Sequence, residues 1–308
     1  MRIMADAQIS QEHIKSPLRF PGGKSRALEQ IIPLIPHFCE YREPMVGGGS
    51  VFFRLKQMFP ERRYWINDIN YELYCFWKIC QQNNSALIAE VSRVHKTAED
   101  GRALFYEMLE RYGIGDEFER AVRFFVLNRI SFSGTVDSGG YSEQAFRGRF
   151  TPSAIRNLAL ADAILKGVEI TNLDYETLLH ASGEEVFIFL DPPYYSATQS
   201  RLYGRRGELH LQFDHERFAK AVQNCTHKWL ITYDDCPEVR RRFSDYYIVQ
   251  WELQYGMNNY KQPFARAGKE LFIANYAISR LYHQQLTLLY EKRSPYVESH
   301  EQIPPTTD

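Results

Sequence analysis

The tetrapeptide Asp191-Pro192-Pro193-Tyr194, set directly behind the apolar run Val186–Leu190, constrains this chain more than any other segment. Five consecutive apolar residues of aromatic and branched type predict a strand buried on both faces, as in a parallel sheet covered by helices. Two prolines then stop it, because neither donates to a strand ladder and each keeps the residue before it extended. The corner is therefore stiff and lies at the carboxyl edge of a sheet, where open α/β sheets hold their ligands.

Six further runs predict strands: Phe38–Met45, Arg63–Asn67, Val168–Asn172, Trp229–Tyr233, Tyr246–Gln254 and Glu270–Ala277. Amphipathic stretches alternate with them, the pattern of an α/β fold. Residues 71–166 are helical in pattern, except for ISFSGTVDSGGYSEQAFRGRF at residues 130–150, whose glycines and serines predict that it is not a helix. Thr151-Pro152-Ser153 starts a helix again, with proline in its first turn. A helical insert with a long polar loop thus separates the second and third strands. The polar ends, residues 1–15 and 294–308, read as disordered tails.

Formal net charge is −1, so any affinity for nucleic acid has to come from local basic patches. The five cysteines form no C-x-x-C pair and no cluster of zinc-ligand spacing, which fits thiols in a reducing cytoplasm and no metal site. No signal-peptide core or membrane-length apolar stretch is present in the sequence.

At the proline corner, Asp191 and the Pro192 carbonyl offer two hydrogen-bond acceptors side by side, and Tyr194 offers a flat face. Two acceptors suit an amino group on an aromatic ring. Its lone pair is delocalised, and engaging both hydrogens favours a pyramidal nitrogen with a directed lone pair. The flat face suits a base taken out of a duplex. Glu43-Pro44-Met45-Val46-Gly47-Gly48-Gly49-Ser50 reads as strand, glycine turn and helix start, letting the backbone approach a ligand. It lacks G-x-G-x-x-G spacing and a following G-K-S/T, which argues against a phosphate cradle. Asp68, about 20 residues on, is placed either for ribose hydroxyls or to cap the next helix. Phe20-Pro21-Gly22-Gly23-Lys24 is a turn delivering a lysine, to a ligand carboxylate or to solvent.

In this order the segments resemble the Dam-like, class alpha family of site-specific DNA adenine-N6 methyltransferases. That family carries aromatic-x-Gly-Gly-Lys, Glu-Pro-aromatic-x-Gly-Gly-Gly-Ser, Asn-Asp-x-Asn (here Asn67-Asp68-Ile69-Asn70), a target-recognition insert and Asp-Pro-Pro-Tyr. Asn172-Leu173-Asp174-Tyr175 and the segment from Lys269 to Tyr276 match as well, so the resemblance runs from about Ser16 to Ser279. It implies a Rossmann-like class I methyltransferase fold with a mixed seven-stranded sheet. The catalytic domain would comprise residues 16–75 and 167–280, with a helical target-recognition insert at 76–166.

The resemblance also implies S-adenosylmethionine as cofactor, held by Phe20, Lys24, Glu43, Pro44, Gly47, Gly49, Asp68, Asp174 and Asp191. Catalysis falls to Asp191, Pro192, Pro193 and Tyr194, and the partner is double-stranded DNA; the setting is restriction-modification, phage or epigenetic marking, and a cognate restriction endonuclease belongs to the first of these alone. Candidate DNA contacts are Arg123, Asn128, Arg129, Ser133, Arg147, Arg149 and Arg201. Two departures stand out. Met45 replaces the family's phenylalanine, and Asn-Arg-x-x-Phe-Asn-Gly becomes Asn128-Arg129-Ile130-Ser131-Phe132-Ser133-Gly134, with a different loop beyond it. The family's word GATC is therefore not implied here. Rival readings are an RNA adenine methyltransferase and a catalytically silent DNA-binding relative. An Asn or Ser in place of Asp191 would have pointed to glutamine or cytosine instead.

Overall fold

The computed structural model describes residues 13–136, 138–195, 213–253 and 268–278. Seven strands form one sheet: β1 Glu40–Glu43, β2 Arg63–Asn67, β3 Glu169–Thr171, β4 Val186–Leu190, β5 Lys228–Asp234, β6 Tyr247–Leu253 and β7 Gly268–Ala274. They are ordered β3-β2-β1-β4-β5-β7-β6. The first five are mutually parallel, and β7 runs antiparallel to both β5 and β6. Chain order reverses between β1 and β4, which opens a crevice at their carboxyl ends. Every residue of β4 is buried, as its unbroken apolar sequence requires.

Between these strands lie α1 Leu28–Ile31, α2 Ser50–Met58, α3 Tyr71–Gln82, α4 Asn84–Thr97, α5 Gly101–Glu110, α6 Glu117–Ile130, α7 Glu143–Arg149, α8 Pro152–Leu165, α9 Tyr175–His180, α10 His215–Gln223 and α11 Pro237–Arg242. Polar residues set their starts. Asn70 caps α3, Asp100 caps α5, Asp116 with Glu119 makes a capping box on α6, and Thr151 caps α8 just before Pro152. The Gly/Ser-rich stretch needs correcting, since α7 lies inside it. Ser142 accepts from the Ala145 N–H to start that helix, and Phe146 packs against the core to hold it.

Two apolar layers cover the sheet. One joins Phe187, Phe189, Leu230 and Phe272 to α2 and to the helices of the insert. Trp77 of α3 packs on Phe53 of α2 with ring centroids 5.7 Å apart, so the insert shares this core. The other layer packs Ile188, Leu190, Ile231 and Ile273 against Phe218 of α10 and Val239 of α11. Among the described residues, no helix is long and apolar enough to cross a membrane.

Candidate active site

Asp191 is the first residue past β4. Because Leu190 pairs with Ile231, Asp191 comes to lie beside Thr232 of β5. Thr232 Oγ1 donates to one carboxylate oxygen at 2.7 Å and Lys24 Nζ to the other, also at 2.7 Å. Lys24 is only 4% exposed and also donates to the Gly22 carbonyl, which rules out a lysine simply displayed to solvent. Its ammonium lies 5.1 Å from the centroid of the Tyr194 ring. The Tyr194 hydroxyl donates to Glu270 Oε2 of β7 at 2.6 Å, and the Tyr195 N–H donates to Asp234 at 2.8 Å. Asp234 and Glu270 are cross-strand partners. A row of three carboxyls (Asp191, Asp234, Glu270) thus crosses the ends of β4, β5 and β7. Burial pushes Glu270 up to about 7, with Asp191 and Asp234 adding to the rise and Lys24 and the Tyr194 hydroxyl opposing it.

The second part of the site is at the end of β2. Asp68 accepts from the Gly47 and Asn70 N–H groups, each at 3.0 Å. Burial raises its carboxyl to about 6 against those two bonds. It does not cap α3, because Asn70 takes the Glu72 and Leu73 N–H groups instead. Asn67 Nδ2 reaches the carbonyls of Pro44 and Leu173, and Asn172 Nδ2 reaches the carbonyl of Asp68 at 2.7 Å. The chain segments after β1, β2 and β3 are thereby tied together. Ile69 and Leu173 remain 55% and 39% exposed next to Asp68, forming an apolar rim.

The glycine turn is built around Phe20. A Cβ on Gly47 would come within 2.8 Å of the Phe20 ring, and one on Gly48 within 2.7 Å of Phe20 Cβ. Gly47 and Gly49 also take positive φ. Glu43, expected to touch the cofactor, is engaged inside the fold. Its Oε2 accepts from the Tyr41 hydroxyl at 2.7 Å and from the Phe52 N–H in the first turn of α2 at 3.1 Å. It serves a helix whose own N-cap, Gly49, has no side chain to offer. Burial raises the Glu43 carboxyl to about 8. Asp174 caps α9 and pairs with Arg217 at 2.9 Å on a half-exposed surface.

The expected DNA contacts divide. Arg123 is buried and donates to the Ile114 carbonyl. Asn128 is fully buried and joins Arg19 to Gly134. Arg129 is 8% exposed, donates to the Pro17 carbonyl and covers the Phe125 ring. Asn128 and Arg129 thus hold the insert to the N-terminal segment, while Arg123 ties α6 to the loop before it. Ser133 is half-buried at a φ of 53°. Arg147, paired with Glu143, and Arg149 are exposed. Arg201, with Arg205, Arg206 and the rest of the segment 196–208, lies outside the described residues, as do residues 1–12 and 294–308 of the expected tails. Arg240 of α11 pairs with Asp235.

Sequence reasoning missed Thr232, Asn67, Arg19 and the part played by Glu270. Burial lowers Arg19, with the Arg149 charge adding to the fall, and burial takes Arg129 down to about 10, with Arg19 and Arg149 adding to it. Arg19 Nη1 and Arg129 Nε are buried without partners. Among the described residues, no group of three His, Cys, Asp or Glu is arranged to hold a metal ion.

Residues 20–257 match the family model of D12 class N6 adenine-specific DNA methyltransferases. The chain is 29% identical over 201 residues to the type II methyltransferase M.MjaIII of Methanocaldococcus jannaschii, covering 59% of this chain and 69% of that protein. It is 26% identical over 245 residues to the DNA N-6-adenine-methyltransferase of Escherichia phage P1, covering 76% of this chain and 32% of the phage protein. To the DNA adenine methylase of Vibrio cholerae it is 27% identical over 183 residues, covering 58% of this chain and 64% of that one.

Proposed function

The chain belongs to the D12 class N6 adenine-specific DNA methyltransferases, and on that premise we propose that it transfers the methyl group of S-adenosylmethionine to the 6-amino group of an adenine turned out of duplex DNA. The observation that carries this reading is Asp191, braced by Lys24 and Thr232 beside the Tyr194 ring, at the crevice between β1 and β4.

The residues present fit the donor. Asp68 is an acceptor for ribose hydroxyls, the rim of Ile69 and Leu173 suits the face of an adenine, and Lys24 is a buried cation for a carboxylate. Asp191, at the carboxyl end of β4, offers an acidic side chain to a sulfonium. The donor supplies an electrophilic methyl group whose carbon–sulfur bond pair returns to sulfur as the new carbon–nitrogen bond forms.

Asp191 and the Pro192 carbonyl accept from the two N6 hydrogens and direct the nitrogen lone pair, while the stiff prolines fix their spacing. Lys24 and Thr232 hold the Asp191 carboxyl in place through one hydrogen bond each. After transfer the nitrogen sheds a proton through its bond to Asp191. Tyr194 supplies the stacking wall. The unpartnered atoms of Arg19 and Arg129, with Arg149 beside them, support a backbone phosphate contact at the insert. A cognate restriction endonuclease and a cytoplasmic setting go with this reading.

Purified protein should transfer label from S-adenosylmethionine to duplex DNA and not to RNA, with N6-methyladenine as the product nucleoside. Asp191→Ala should lower that rate by at least about a thousandfold while circular dichroism stays unchanged. Label confined to RNA, or an active Asp191→Ala variant, would end the proposal.

A further inference from the structure

Glu270 has no part in the mechanism just described, yet its surroundings fit poorly with a purely structural role. It is 1% exposed on β7. Oε2 takes the Tyr194 hydroxyl at 2.6 Å, while Oε1 is buried without a partner. A half-satisfied carboxyl in an interior costs stability, and an apolar residue of similar size would commonly serve the sheet as well or better. Its cross-strand neighbours are Asp234 on β5 and Trp251 on β6, and the Trp251 ring stacks on Phe272 without its help, centroids 4.4 Å apart.

We propose that Glu270 is a positioning residue for the target base: by holding the Tyr194 hydroxyl it fixes the ring on which the extruded adenine stacks. This rests on the adenine-methylation reading above. Without that bond the ring keeps its neighbours Lys24 and Tyr233 but loses the anchor at its hydroxyl end, and a flat wall is useful only at a fixed angle. The charged and titratable groups facing Glu270 are Lys24 from the N-terminal turn, Asp191 and Tyr194 from the proline corner, and Asp234 from β5. Lys24 and the Tyr194 hydroxyl favour the ionised carboxyl, while burial and the two aspartates favour the protonated one. The balance falls at about 7, so the bond from the Tyr194 hydroxyl weakens from charge-assisted to neutral, without being lost, as pH drops through neutrality.

The test uses the full chain and duplex DNA carrying its target word, found by sequencing DNA modified in cells expressing the protein. Glu270→Leu removes the acceptor, Glu270→Gln keeps an acceptor without a titrating charge, and Tyr194→Phe removes only the hydroxyl. Glu270→Leu should slow single-turnover transfer about tenfold, leave the KM for S-adenosylmethionine within about twofold, and leave the Tm undiminished. With 2-aminopurine at the target position, its complex should fluoresce more brightly than that of the wild type, because the base is less well stacked. Glu270→Gln should stay within about threefold of the wild-type rate and lose the acidic arm of the pH profile near 7. Adding Glu270→Leu to Tyr194→Phe should change the rate less than about twofold, since both remove one contact.

Multiplicative losses in the double variant, or an acidic arm that persists in Glu270→Gln, would overturn the proposal. A Glu270→Leu variant at full speed would overturn it while leaving adenine methylation intact, whereas a wild-type protein that forms no N6-methyladenine would overturn both.

Discussion

The glycines after β1 illustrate how a short motif can serve the protein before it serves a ligand. Gly48 lacks a side chain because Phe20 Cβ sits 2.7 Å from where one would begin, and that atom is held close to its own backbone and cannot swing away. Gly48→Ala should therefore displace Phe20 and the turn leading to Lys24. We expect a cost of about 1–3 kcal/mol in stability and about tenfold in affinity for S-adenosylmethionine. Gly49→Ala is the control. Its Cβ meets nothing closer than 3.4 Å, so it pays only for a positive φ and leaves Phe20 in place. Equal losses of donor affinity in the two variants, read by titration calorimetry, would refute the distinction. The same scale shows where sequence reading stops. Asp191 could be placed because prolines fix its backbone, and backbone constraint is visible in a sequence, whereas the glycines before Lys24 left it open between a ligand and solvent. Glu43 was assigned outward by its motif, although it sits two residues from Tyr41 on one face of a buried strand, and that alternation was the signal for an inward carboxyl.

At the scale of elements, α6 links the insert to the cofactor side of the molecule. Every residue from Ala121 to Ile130 is buried, which polar letters at Arg123, Asn128 and Arg129 concealed in the sequence. Asn128 accepts the Arg19 N–H at 3.1 Å and donates to the Arg19 carbonyl at 2.6 Å, a two-point grip on a peptide 109 residues away. Phe20 is the next residue and Lys24 follows four further on, so the helix sets where the donor-facing turn begins. Asn128→Ala strands the Arg19 groups and the Gly134 carbonyl. We expect a loss of roughly 2–4 kcal/mol in urea unfolding and a several-fold rise in the KM for S-adenosylmethionine, though Asn128 itself lies on the insert. If the donor KM stays at its wild-type value while stability falls, this linkage is not functional. All seven strands were legible to within three residues, because period and punctuation report them directly. Helix α7 was not, since it is short and rests on one cap and one packed phenylalanine, both of which composition outweighs.

For the molecule as a whole, the formal charge of −1 hides a strong local asymmetry. Glu43, Asp68 and Glu270 are each raised by burial, to about 8, 6 and 7. Unfolded, such carboxyls titrate near 4, so between that value and the folded one the native protein binds more protons than the denatured chain. The stability they confer is complete below the unfolded pKa and drains away as pH rises through each folded value. Other groups act outside this window or weakly. The lowered carboxyls of Glu90, Glu143, Glu185, Asp214 and Glu216 operate below pH 4.5 at exposed positions. His13, lowered by burial, acts in the opposite sense but below its ordinary 6.5. The thiols of Cys75 and Cys80 are raised to about 11 and 12 and matter above 8.5. Ligand-free protein should therefore lose several degrees of Tm between pH 6.5 and 8.5. Glu43→Gln should flatten that slope most, because its carboxyl titrates furthest into the window. A Tm that is level or rising over this range in the ligand-free protein would mean that these carboxyls are already ionised in the fold. The acidic edge would then be sustained by solvent reaching it rather than by Lys24.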